Sequence, residues 1–226
     1  MSLAYYGHPL SSYCWKVLIA LHELGAVFEA VTVDLGNPQE RASYLQLSPF
    51  GKIPALRDTD RGAEVFETTV IIEHLDRHHA GPARLVPEDP SAAQEVRLMD
   101  RLFDLYVHNV FQRIIADRLR PAADRDPFGV AQARAELRRA YAVLDERLAG
   151  RDWAAGAQFS LADCAAAPAL FYADLIEPIG AGHPALAAYL GRLRGRPSVR
   201  HAIEGAKPFF QYYPATPDER TRLEAL

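Results

Sequence analysis

Cysteine is scarce in this 226-residue chain. There are two, Cys14 and Cys164, far apart. That excludes a CxxC redox pair, a zinc-ligand spacing and a disulfide framework, and it fits a reducing compartment. Long apolar runs are also missing. The uncharged stretch at residues 164–173 is about ten residues long and contains Pro168, well short of the roughly twenty that span a bilayer. Residues 1–15 show no basic segment leading into an apolar core and a small-residue cleavage site, so the expected location is the cytoplasm, away from any membrane. A basic excess is absent: 25 Lys and Arg against 29 Asp and Glu leave a net charge of −4, which argues against a dedicated nucleic-acid binder. Glycine and proline follow no fixed period and there is no internal repeat, so the chain is not fibrous. What remains is an ordinary soluble composition, 49% hydrophobic and 24% charged, enough to bury a core.

The first third alternates strand and helix patterns. Residues 3–6 form a short apolar run ended by Gly7 and Pro9, read as a strand. In residues 12–24, Val17, Leu18, Leu21 and Leu24 recur at helical spacing, and Gly25 closes the segment. Residues 28–33 are rich in β-branched side chains and form a second strand. Asn37 and Pro38 open a weakly helical stretch to about Leu47. Residues 53–56 and 63–66 flank a polar, Gly-ended loop at 58–62 and read as a hairpin. Residues 68–78 are helical again. Gly81, Pro82, Pro87 and Pro90 then mark a linker. The expected division is residues 1–79, a linker at 80–90, and residues 91–226. No strand is expected beyond the linker. Val96, Met99, Phe103, Tyr106, Val110 and Ile114 step by three and four along a long helix. Leu137, Tyr141, Leu144 and Leu148 mark another, with a turn at 121–129 between them. Ser160 and Asp163 have capping-box spacing before an Ala-rich helix to Ile176. Two shorter helices are expected near 184–194 and 197–206, followed by a mobile tail from Pro208.

The order β-α-β-α-β-β-α is the thioredoxin-like pattern. The fold class expected is therefore an α/β thioredoxin-like N-terminal domain joined to an all-α C-terminal bundle. The first helix starts where that fold keeps its reactive group, and here the junction reads Ser11-Ser12-Tyr13-Cys14. A dithiol enzyme needs cysteine at both ends of this tetrapeptide. One thiol cannot cycle through a disulfide with a serine. A hydroxyl beside unpaired amides at a helix N-terminus remains, and it suits an anion such as a ligand thiolate. Simple capping by serine is the competing reading. Two other segments sit at loop ends on the same sheet edge. Residues 48–56, Ser-Pro-Phe-Gly-Lys-Ile-Pro-Ala-Leu, put Pro54 at the start of a strand, trans at a strand edge or cis in a binding loop. Glu67 and Thr68 start the third helix, as a cap or as ligand contacts.

Together these segments resemble the cytosolic glutathione transferases, along the whole chain. The resemblance rests on the serine start of the first helix, Gly51-Lys52-Ile53-Pro54-Ala55-Leu56, the Glu67-Thr68 pair, and Phe159-Ser160-Leu161-Ala162-Asp163. Ser11-Ser12 through Trp15-Lys16-Val17 is nearest the serine-type zeta and theta classes and their bacterial relatives. The zeta pattern Ser-Ser-Cys-x-Trp-Arg-Val is broken by Tyr13 and Lys16, which speaks against maleylacetoacetate isomerase activity.

The resemblance implies a detoxifying transferase of alkyl or aryl groups, with glutathione as co-substrate, no metal, and a homodimer packed through residues 70–78 and 91–103. Ser11, or second Ser12, would donate to the glutathione sulfur. Ile53, held by a cis Pro54, would pair its backbone with the cysteinyl part. Glu67 would meet the γ-glutamyl ammonium and Thr68 its carboxylate. Gln39 and Lys52 would reach the glycine carboxylate. A hydrophobic electrophile would lie between the domains, against His8, Pro9 and Leu10, Tyr106, Val107 and Phe111, with residues 207–213 as a lid. A glutathione-dependent isomerase, a peroxidase, or a non-catalytic binding or scaffold protein of the same fold are the alternatives.

Other features have plainer readings. Tyr5 and Tyr6 end the first strand, where tyrosine-type transferases keep their phenol, but strand aromatics usually pack; Tyr6 is the runner-up activator. Cys14 reads as a core residue. His74 and His78 stand four apart and could hold a metal, yet no third ligand is evident in sequence, so a solvated helix face is expected. Arg192, Arg194, Arg196 and Arg200 read as a solvated basic surface.

Overall fold

The computed structural model describes residues 2–79, 81 and 83–225. Ala80 and Pro82, in the expected linker, lie outside the described residues. Four strands form one mixed sheet: β1 (Leu3–Gly7), β2 (Glu29–Thr32), β3 (Ala55–Asp58) and β4 (Ala63–Phe66), in the order β2-β1-β3-β4. β1 runs parallel to β2 and antiparallel to β3, which pairs with β4 as a hairpin. Three helices pack on the sheet: α1 (Ser12–Glu23), α2 (Pro38–Leu47) and α3 (Thr68–His78). Gly25, at φ 64°, stops α1 in a backbone conformation that a side chain would oppose.

Strand alternation decides which face each β1 residue serves. Leu3, Tyr5 and Gly7 are buried, and Leu3 and Tyr5 join a core with Val17, Leu21, Ile71, Ile72 and Leu75 from α1 and α3. Tyr6 points to the other face, with Val33, Tyr44 and Leu47 beneath α2. β3 begins two residues later than expected. Pro54 has no N–H to give a ladder, so pairing starts at Ala55, opposite Tyr6 on one side and Phe66 on the other. It also runs on to Asp58, opposite Leu3 and Ala63, which therefore belongs to the strand and not to the loop.

The second domain is helical: α4 (Pro90–Leu102), a π-helical segment Phe103–His108, α5 (Asn109–Arg118), α6 (Pro127–Leu148), α7 (Leu161–Ile176), α8 (Pro184–Gly195), α9 (Pro197–Ala206) and α10 (Pro217–Glu224), with 3₁₀ turns at Ala122–Asp124 and Lys207–Tyr212. The expected turn at 121–129 is shorter than predicted, because Pro127 opens α6 behind an Asp126 cap that accepts from Gly129 N at 2.8 Å. α7 is buried at every residue but Asp174, and packs on α1, α4 and the π segment. Its start is fixed by Asp163, whose Oδ2 accepts from Ser160 N and Oγ at 2.8 and 2.9 Å. The tail is ordered and docked, contrary to expectation. Arg118 holds Glu219 through two 2.7 Å bonds, and Arg222 Nη2 reaches Leu175 O at 2.7 Å. Among the described residues no helix is long and apolar enough to cross a membrane.

α1 is tied to the helical domain by charge as well as packing. Lys16 has no solvent exposure, and its Nζ lies 2.6 Å from Asp100 Oδ1 and 2.7 Å from Asp104 Oδ2. It also donates to Thr69 Oγ1 at 3.0 Å, and Thr69 donates to Asp100 Oδ2 at 2.9 Å. Arg101, half-exposed, closes the set against both aspartates. Removing one partner of a buried pair leaves an uncompensated charge and typically costs about 3–5 kcal/mol. Lys16→Met is therefore expected to lower unfolding stability by about 3 kcal/mol, the low end because Arg101 still faces both carboxylates. Urea unfolding of the two proteins measures the difference; a loss below about 1 kcal/mol would mean the aspartates shed their charge instead.

Candidate active site

A cleft of about 630 Å³ opens where the sheet edge meets the π segment and α5. Its N-terminal-domain wall includes Ser11, Lys52, Ile53, Pro54, Glu67 and Thr68; the facing wall includes Arg101, Asp104, Leu105, Asn109 and Gln112, with Tyr13 from α1. Two helix N-termini reach this cleft, those of α1 and α3. First-turn amides of a helix lack intrahelical partners and carry partial positive charge. An anionic ligand is therefore favoured at two points.

At the first point Ser11 is the N-cap of α1. Its Oγ accepts from Cys14 N at a long 3.4 Å, and a hydroxyl that accepts one amide still has its own proton to give. At the second point Glu67 precedes α3 with φ 71° and ψ 115°, and its side chain caps nothing. The first turn of α3 is thus left open, with Thr68 buried beside it. Between them runs the loop to β3. Tyr44 Oη and Ser48 Oγ donate to Lys52 O at 2.7 and 2.9 Å, pinning the loop ahead of a cis Ile53–Pro54 bond.

The adjacent serines part company. Ser12 is buried, its Oγ 2.7 Å from His108 Nε2, and Gln112 Nε2 donates to it at 3.1 Å. Burial, with a smaller push from Lys16, holds His108 far below its ordinary pKa and hence neutral. The Tyr13 ring stacks on His108 at 3.6 Å, and its hydroxyl donates to Asn109 Oδ1 at 2.6 Å. Burial pushes the Tyr13 phenol up, so it stays protonated. Cys14 is buried, and its thiol is pushed up by that burial.

Several expected residues lie elsewhere. Tyr6 is turned by strand alternation into a groove on the α2 face, where Arg57 Nη1 donates to its hydroxyl at 3.2 Å; Gln39 lines that same groove. Val107 and Phe111 are core residues with almost no exposure. Tyr106 is 58% exposed and lines a separate groove with Leu102, Val110 and Leu144. The buried stripe runs through Phe103, Val107, Phe111 and Ile114, at steps of four and three, and so passes beside Tyr106. Pro9 and Leu10 are held by their carbonyls, which accept from Trp15 Nε1 and Tyr172 Oη, and His8 packs edge-on against Phe209. The residues that face Ser11 across the cleft were not anticipated. A signal existed: Arg101, Asp104, His108 and Gln112 form a polar stripe at steps of three and four beside the apolar one.

Residues 6–83 match the family model described as Glutathione S-transferase, N-terminal domain, and residues 122–192 match Glutathione S-transferase, C-terminal domain. The chain belongs to the glutathione S-transferase family. Glutathione S-transferase 3 of Zea mays is 33% identical over 211 residues, covering 89% of this chain and 93% of the maize protein. Glutathione S-transferase GstB of Escherichia coli K12 is 26% identical over 201 residues, 88% and 96% of the two chains. Among solved structures, a glutathione S-transferase from Methylobacillus flagellatus with glutathione bound superposes with a TM-score of 0.81 at 27% identity, covering 89% of this chain and 98% of that one.

In this glutathione S-transferase, Glu67 holds a left-handed backbone that disfavours a side chain. Such strain costs about 1–3 kcal/mol, against the roughly 0.4–1 kcal/mol that added chain freedom costs on changing to glycine. Glu67→Gly is expected to raise stability by about 1 kcal/mol, read as a higher melting temperature. A lower one would show that the Glu67 side chain stabilises the fold more than its backbone strains it.

Proposed function

We propose that the chain is a glutathione transferase in which Ser11 donates a hydrogen bond to the sulfur of bound glutathione and holds it as a thiolate. The observation that carries this reading is the convergence of two helix N-termini on one cleft, with the Ser11 hydroxyl at the first and the second uncapped. The ligand has anionic groups to match: a thiolate at α1 and the γ-glutamyl carboxylate at Thr68. Glu67 supplies the counter-charge for the γ-glutamyl ammonium. The Ile53 backbone pairs with the cysteinyl part in strand fashion. Lys52 is assigned the glycine carboxylate alone, since Gln39 lines the α2-side groove.

A free thiol titrates near about 8.5, and donors aimed at the sulfur lower that value. The proton leaves to water. The thiolate pair then forms a bond to an electrophilic carbon, and the leaving group departs with its own bonding pair. Leu105 and the Tyr13 ring give the electrophile an apolar wall, while Asn109 offers a polar contact. This replaces the walls at Tyr106, Val107 and Phe111.

Charge-assisted hydrogen bonds are worth about 1.5–3 kcal/mol, or about ten- to a hundredfold in rate. Ser11→Ala is expected to raise the thiol pKa of bound glutathione and to cut turnover by that factor, with affinity little changed. Thiolate absorbance of the binary complex against pH, beside the rate profile, is the measurement. If both curves stay in place, Ser11 is only a helix cap. Ser12→Ala should act instead through stability, because its hydroxyl is spent on His108.

We further propose a homodimer packed through α3 and α4. Val70 and Leu98 are exposed on these helices, and Leu105 and Tyr106 on the adjoining π segment, beside an apolar groove of about 390 Å³. Light scattering should give about twice the 25.1 kDa of one chain. A single-chain mass across the micromolar range would remove the dimer.

A further inference from the structure

At the far end of α3 from the cleft, about 15 Å along the helix, three ligand-type side chains meet. Asp58 ends β3, and its side chain has no solvent exposure. His74 and His79 roof it, 13% and 17% exposed. Both Nε2 atoms reach the same oxygen, Oδ2, at 2.9 and 2.7 Å. The three ligand atoms lie within 4.8 Å of one another. The second oxygen, Oδ1, is buried without a hydrogen-bond partner among the described residues.

Two imidazoles donating to a carboxylate would be an ordinary contact if each took its own oxygen. A carboxylate offers about four lone-pair sites over two oxygens, yet here both rings crowd one oxygen while the other is orphaned. Two ring nitrogens and one carboxylate gathered within 4.8 Å are what a metal ion requires of its ligands. Two His and one carboxylate, with a fourth position left for water, is a zinc-type donor set. With metal–ligand bonds of about 2.0–2.1 Å, tetrahedral ligand atoms lie about 3.3 Å apart. The two Oδ2–Nε2 separations need only about half an ångström of opening, with the two ring nitrogens within 4.8 Å of each other. Partly exposed rings give the ion a way in.

We propose that Asp58, His74 and His79 bind a divalent transition-metal ion of the zinc type, clamping the last turn of α3 to the end of β3. The site stands apart from the glutathione cleft and does not depend on the reading given to it. It also pairs His74 differently from its sequence spacing: the partner is His79 through Asp58, while the His78 ring lies 4.8 Å to the side.

The test is calorimetric titration of the chelator-stripped full chain with zinc chloride, with the histidine ring signals followed by NMR. One Zn²⁺ per chain is expected, with shifts confined to His74 and His79. Outer-shell partners alone are worth about 10–100-fold in metal affinity, so His74→Gln and His79→Gln should each weaken zinc at least about tenfold. Neither should alter turnover with glutathione. His201→Gln is the control, because the His22 and His201 rings lie 4.1 Å apart, tilted, and form the competing histidine pair; it should leave binding intact. No uptake at millimolar zinc, binding that survives the His74→Gln/His79→Gln double variant, or shifts at His22 and His201 instead would each overturn the site. If a variant does not fold, the ring signals of the unaltered protein decide alone.

Discussion

The placement of the cleft depends on one buried ammonium. Lys16 lies one turn into α1, and its charge is balanced by Asp100 and Asp104 on the far side of the domain boundary. A buried cation cannot remain unpaired without a cost of several kcal/mol, so the two domains have little freedom to slide along α1. Thr69 lies in the same network, which brings the start of α3 into it. Both helix N-termini of the cleft are therefore referenced to a single set of charges. Arg101 and Asp104 belong to that set and also line the cleft. A ligand in the cleft rests on the same groups that lock the domains together.

The cleft combines that rigidity with local strain. Glu67 is the only non-glycine residue with positive φ among the described residues, and it sits where α3 begins. A capping side chain there would satisfy the first-turn amides and remove them from use. A residue in an unfavourable backbone well, with a side chain that caps nothing, leaves them uncapped at the cleft wall. Strain of this kind persists only where the surroundings over-determine it. Here Ile71 N on Glu67 O and the buried Thr68 supply that constraint.

Much of the fold was legible because its signals are local. Pro38, Gly25, the Ser160–Asp163 box and the Pro-Gly cluster after His78 are punctuation that acts within a few residues, and the element order followed from them. Ser11, Lys52, Ile53, Pro54, Glu67 and Thr68 line one cleft because all stand at strand-to-helix or loop-to-strand junctions on one sheet edge. Tyr106 and Val107 could not be told apart, since they stand three and four residues after Phe103 and either step keeps to one helix face. The Asp58 contact with His79 was equally hidden. It joins residues 21 apart in sequence through a strand end that periodicity placed in a loop.

The pair of serines shows how a helix start divides labour by geometry alone. Ser11 is the cap, in extended backbone, and Ser12 is the first helical residue, so one hydroxyl faces the cleft and its neighbour faces the π segment. Ser12 and His108 at 2.7 Å have the outward form of a nucleophile and its base. The chemistry of such a pair needs an exposed hydroxyl and a third group orienting the ring. Ser12 is buried, and His108 Nδ1 has no partner among the described residues. His108 is also kept neutral by its burial, so the contact carries no charge across the boundary that Lys16 already balances. The pair is a structural joint. By fastening the first turn of α1 to the helical domain, it leaves Ser11, one residue earlier and less constrained, as the hydroxyl that can answer to a ligand.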